Sequence, residues 1–192
     1  MGFDCHIHRM MNTIEDVTEF VRSDPRIVSL LKTVSSIGLP DCWVAAGAIR
    51  NPIWSHLHGV PFDPTKESDV DVIYFDPANI SKNAEKIHEI NLTAFNDAVE
   101  WEVRNQARMH VKNNDRPYLD SYNALEHWSE TATAIGARYV NGDIEIIAPY
   151  GADDLLNLIV RQCPKFIGKR HIFEARIAEK NWLEKWPELK VI

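Results

Sequence analysis

Two aspartates, Asp69 and Asp71, stand two residues apart in the run ESDVDVIYFD. On a strand, side chains at i and i+2 share one face with Cα atoms about 7 Å apart, so two carboxylates placed this way repel each other. Hard divalent ions such as magnesium (or manganese) take carboxylate oxygens in this arrangement and complete their shell with water and phosphate. The competing reading is an edge-strand face carrying ordinary solubilising charge, since short motifs recur by accident.

Upstream, VAAGAIRN (Val44 to Asn51) reads as a strand running into Gly47 and then into a helix. Such a turn presents bare backbone at Gly47 and Ala48 together with the positive end of a helix dipole, a place that favours phosphate. Arg50, one turn in, can reach toward the same anion. Taken alone, this is a tight strand–helix turn with a surface arginine. Together, a phosphate cradle followed by a paired-acid strand describes a site for a metal-bound triphosphate.

Several elements must position these groups. Two helices open the chain, at Thr13 to Arg22 and from the N-cap Asp24 to Gly38, the second with Pro25 at its first position. Ile27, Leu30, Leu31, Val34 and Ile37 recur at helical spacing and give it a core face. Cys42 to Gly47 is a short buried strand. The helix after it closes at Gly59, with Pro52 expected in its first turn. A strand from Val70 to Phe75 follows a proline-containing loop. Asn79 to Ala98 is helix-like, with Ile80, Ala84, Ile87, Ile90 and Phe95 in register.

The run VEWEVRNQARMHV alternates and reads as a strand throughout, with Asn105 on one face and Glu102, Arg104 and Arg108 on the other. SYNALEHW is a short helix. AIGARYV-NG-DIEIIAPYG is a hairpin whose Asn141-Gly142 pair suits a type I′ turn. Helices near Ala152 to Arg161 and Ile172 to Trp186 complete the chain. This order predicts an α+β fold: a small mixed sheet of about five strands with helices packed on it.

The 192 residues, 45% of them hydrophobic, suffice for one domain with a proper core. Its expected parts are N-terminal helices (1–40), a core (42–161) and a C-terminal helical extension (162–192). A formal charge of -7 argues against gripping nucleic acid by bulk electrostatics. No apolar run is long enough for a bilayer, and the start MGFDCHIHRMMN lacks a signal-peptide core. Three scattered cysteines, Cys5, Cys42 and Cys163, suit a reduced, cytoplasmic setting. Cys5, His6 and His8 fit no standard zinc spacing.

The motifs in sequence order resemble the polymerase-beta-like nucleotidyltransferase superfamily, and within it the catalytic head of tRNA CCA-adding enzymes. Where that head reads Gly-Gly-x-Val-Arg-Asp, this chain has Ala46-Gly47-Ala48-Ile49-Arg50-Asn51, and Asp69-Val70-Asp71 matches its acid pair. WEVRNQARMH and NGDIEIIAPYGADDL match its later segments, so the likeness runs from Cys42 to Arg161. The chain is also similar to a little-characterised bacterial group of nucleotidyltransferase family proteins. It departs at Ala46, at Asn51 and at Ala148, which stands where the head has an aspartate before proline. With no neck, body or tail after Ile192, CCA addition to tRNA is not expected.

The resemblance implies a third carboxylate. Glu102 in WEV is the first choice and Glu145 in DIEII the alternative; either would otherwise be an outward-facing strand glutamate. Strand alternation puts Arg104 and Arg108 on the Glu102 face, where one of them can meet the triphosphate, and aims Asn105 away from nucleotide unless a bulge re-aims it; a buried hydrogen-bonding role competes there. The implied activity is magnesium-dependent transfer of a nucleoside monophosphate from a triphosphate to an unidentified hydroxyl. The altered glycine doublet leaves open a nucleotide-binding or regulatory module without turnover, and beyond it a plain interaction domain.

Overall fold

The computed structural model describes residues 11–66 and 69–192. Cys5, His6 and His8 lie outside the described residues. In chain order the elements are α1 (Ile14–Ser23), α2 (Pro25–Ser36), β1 (Trp43–Ala45), α3 (Gly47–Leu57), β2 (Val70–Tyr74), α4 (Lys82–Phe95), β3 (Trp101–Asn105) and α5 (Gln106–Asn113). There follow α6 (Ser121–Leu125), β4 (Gly136–Val140), β5 (Asp143–Ile147), α7 (Asp153–Leu156), β6 (Ile159–Val160), α8 (Arg170–Lys180), α9 (Trp182–Lys185) and β7 (Lys190–Val191). A five-stranded mixed sheet runs β3-β2-β1-β4-β5, as the α+β expectation requires. β1 is antiparallel to both neighbours, and β2 and β3 are parallel, joined through α4.

The local signals explain most of this. Thr13 and Asp16 form a capping box for α1, and Asp24 accepts from the Arg26 N–H to start α2 with Pro25 in place. Ile27, Leu30, Leu31 and Val34 are buried, and α2 packs against β4 and β1. Asn141 and Gly142 both take positive φ, 51° and 90°, in the turn joining β4 to β5. The core lies between the sheet and its helices around Trp43, Ile49, Trp54, Val72, Val103 and Ile135.

Five expectations need correction. The alternating run stops being a strand at Asn105, whose Oδ1 accepts from the Ala107 N–H and caps α5, so Arg108 is helical. Pro52 falls in the second turn of α3, which begins at Gly47, and forgoes a bond there. On α4, Ile80 precedes the helix, and Ile87, Ile90 and Phe95 are exposed, while Ala84, Glu85 and Leu92 are buried. The helix expected to Arg161 ends at Leu156, because Leu158 takes a φ of 58° and β6 turns off to pair with β7. The last helix is two, broken at Asn181 with a φ of 50°.

Candidate active site

Strand register assembles the acids. Asp71 lies opposite Glu102 on parallel β3 and opposite Ala45 on antiparallel β1. Asp69 precedes β2 by one residue and points the same way as Asp71. One carboxylate oxygen from each of Asp69, Asp71 and Glu102 lies within 4.8 Å of the others, and all three residues are half-buried. Burial first, then the charges of Asp69 and Glu102, push the Asp71 carboxyl up to about 7, against the opposing pull of Arg50 and Arg176. Three hard oxygen donors whose mutual repulsion outweighs the nearby arginines at Asp71 fit a divalent cation. Arg104 occupies one Glu102 oxygen, Oε1, through its Nη2. Glu145 is not part of this group. It sits on β5, at the opposite sheet edge from β3, where Arg138 Nε donates to it at 2.8 Å.

The end of β1 places the glycine turn in the same cleft. Ala46, next after Ala45, takes φ 51° and ψ −122°, a backbone region that glycine enters freely and alanine only under strain. Its carbonyl accepts from the N–H groups of Ile49 (3.1 Å) and Arg50 (2.8 Å). The N–H groups of Gly47 and Ala48 begin the helix and have no intrahelical acceptor. Ala46 and Gly47 line a cleft of about 320 Å³ together with Asp69, Asp71 and Glu102.

Arg50 also borders this cleft, but it is buried rather than a surface arginine. Its Nη1 donates to Thr133 Oγ1 (2.6 Å), and its Nε and Nη2 both donate to Asn51 Oδ1. The guanidinium packs on two indoles that meet edge to face, 4.7 Å from the Trp54 ring and 4.4 Å from that of Trp182. Burial lowers its pKa to about 10, still far above neutrality. Arg50 is thus a fixed positive charge beside Asp71, with each guanidinium nitrogen already in one hydrogen bond.

The other predicted contacts separate. Arg104 stays beside Glu102, held also by Glu89 at 2.8 Å. Arg108 pairs instead with the buried Glu85 and does not border the acid cleft. Asn105 is fully buried and pins the chain: its Nδ2 donates to the carbonyls of Asp76 (2.8 Å) and Asn79 (2.9 Å), and its Oδ1 accepts from the Asp76 N–H. Burial and local bonding therefore replace a nucleotide contact for Asn105.

Sequence reasoning missed the opposite wall of the cleft. Arg176, Lys180, Trp182, Lys185 and Trp186, all from α8, α9 and the residue after it, line it across from the acids. Arg176 Nε lies 3.0 Å from Oε1 of the fully buried Glu130, whose charge also favours the Arg50 cation. Trp186 Nε1 donates to Ser55 Oγ at 2.9 Å and fastens this segment to α3. A recurrence of Arg, Lys and Trp in ARIAEKNWLEKW was the available signal.

A family model described as "Nucleotidyltransferase" matches residues 32–191. No curated protein sequence matches. Among solved structures, one described as revealing a CCA-adding enzyme head domain is 34% identical, with a TM-score of 0.82, covering 93% of this chain and 95% of that one. A CCA-adding enzyme solved with CTP is 13% identical with a TM-score of 0.50, covering 92% of this chain and 48% of its own. The Thermotoga maritima CCA-adding enzyme complexed with tRNA is 16% identical with a TM-score of 0.52, covering 94% and 42%. These two share the fold, and the chain spans less than half their length. Among the described residues no helix is long and apolar enough to cross a membrane.

Proposed function

Because the chain belongs to the nucleotidyltransferase family, we propose that it transfers a nucleoside monophosphate from a nucleoside triphosphate to a hydroxyl acceptor at Asp69, Asp71 and Glu102. These three would hold Mg2+ (or Mn2+), which when bound neutralises phosphate charge and lowers the pKa of a coordinated hydroxyl. The Gly47 N–H group meets a phosphate oxygen, while Ala48 is buried and does not line the cleft, and Arg176, Lys180 and Lys185 attract the polyphosphate from the facing wall. Arg50 adds fixed positive potential without having to rearrange. The acceptor oxygen bonds to the α-phosphorus, the bond to the bridging oxygen breaks, pyrophosphate leaves, and the hydroxyl proton passes to water.

The whole chain acts as one catalytic unit in this reading, in the cytoplasm, where the thiols of Cys42 and Cys163 stay reduced. The observation that carries it is the convergence of three carboxylates within 4.8 Å beside the start of α3. The test is a titration of the four ribonucleoside triphosphates with and without magnesium, on the native chain and on Asp71→Asn, followed by transfer assays with labelled nucleotide. Magnesium-dependent binding is expected, weakened in Asp71→Asn. Asp69→Asn is expected to lower transfer by about 10³-fold, about 4 kcal/mol of transition-state stabilisation, with an unchanged circular dichroism spectrum. Full activity in that variant refutes the assignment. The strained Ala46 favours a second reading, a nucleotide-binding module without turnover, which binding with no transfer would select.

A further inference from the structure

Two of the three carboxylates stand where two clefts meet. Asp69 and Glu102 line the cleft beneath α8 and α9, and they also line a larger one, about 770 Å³, between α4 and β3. In-line displacement at phosphorus brings the nucleophile in opposite the departing pyrophosphate. The cleft holding Arg176, Lys180 and Lys185 suits the polyphosphate, which leaves the α4–β3 cleft for the acceptor.

The walls of that second cleft state what it can take. Both of its cations are already ion-paired, Arg104 to Glu89 and Glu102, and Lys86 to Glu89 at 3.1 Å. Glu100 adds an exposed carboxylate, and Ile90 adds exposed apolar surface. A phosphodiester strand needs Lys and Arg in excess for its phosphates, and here four carboxylates, Asp69, Glu89, Glu100 and Glu102, outnumber the two cations. The volume lies within the range of about 300–1,000 Å³ usual for small-molecule sites.

The geometry points to the α4–β3 cleft as the acceptor site, taking a small non-anionic hydroxyl compound, neutral or amine-bearing, rather than an RNA 3′ end. This rests on the transfer reading above. The same bonds form and break: the acceptor oxygen joins the α-phosphorus and pyrophosphate departs.

The test offers labelled nucleoside triphosphate and magnesium with three pools: RNA oligonucleotides with free 3′ hydroxyls, sugar phosphates, and non-anionic sugars, polyols and amino sugars. Transfer to the third pool alone is expected. Ala94→Trp, at an exposed α4 position lining this cleft, should raise the acceptor KM at least tenfold and leave nucleotide affinity unchanged. Transfer to RNA or sugar phosphates overturns the proposal. So does an unchanged acceptor KM in Ala94→Trp, or a protein that binds nucleotide and labels nothing in the third pool. Absence of magnesium-dependent nucleotide binding, read separately by titration, instead brings down the transfer reading and this one with it.

Discussion

The two walls of the cleft that holds the acids are built by different means. The acidic wall is strand register: Asp71 faces Glu102 because β2 and β3 pair in parallel, and Asp69 follows by the two-residue period. The basic wall is tertiary docking: Arg176, Lys180 and Lys185 arrive because Trp182 and Trp186 pack on α3. The first kind of wall repeats a local rule and tolerates small changes nearby. The second depends on a few large contacts remote in sequence from the acids.

Removing one of those contacts should therefore have the largest effect. Trp182→Ala should cost about 3–5 kcal/mol of stability and strip one indole face from Arg50, measured by urea unfolding. A loss below about 1 kcal/mol would show that the docking is looser than described.

The acidic wall should reveal itself through pH. An acid whose pKa is raised on folding binds its proton more tightly in the native state, so stability is greatest below its unfolded value and falls as pH rises. For Asp71 that window runs from its ordinary 3.8 to about 7. Thermal midpoints without metal should drop between pH 5 and pH 8, by about 2–4 °C for each kcal/mol lost. Magnesium at pH 8 should restore the midpoint, and Asp71→Asn should flatten the profile.

Smaller effects sharpen the same contrast. Lys180→Ala should raise the KM for nucleotide about tenfold, about 1.4 kcal/mol, with no change in melting temperature, because its side chain is exposed. Ala46→Gly should stabilise the protein by about 1 kcal/mol in urea titrations, by relieving the strained turn.

The same division governs what could be read in the chain beforehand. The α2 caps, the Asn141-Gly142 hairpin and the Asp69–Asp71 pair follow short periodic rules and are where those rules place them. The WEVRNQARMH segment misleads because its alternation continues by coincidence past Asn105, while the decisive event is that residue's side chain capping Ala107. Arg50 reads as a surface arginine because nothing near it in sequence announces Thr133 or Trp182 as neighbours. Glu145 and Glu102 look alike locally. Only the order of strands, which sets them at opposite edges, tells them apart.

The packing of Trp182 against Arg50 also bears on how the chain matures on the ribosome. A domain folds as a unit, and every strand of the large sheet is synthesised before Trp182 joins the same core. A nascent chain that has not yet reached Trp182 thus lacks one indole face for the arginine beside the acids.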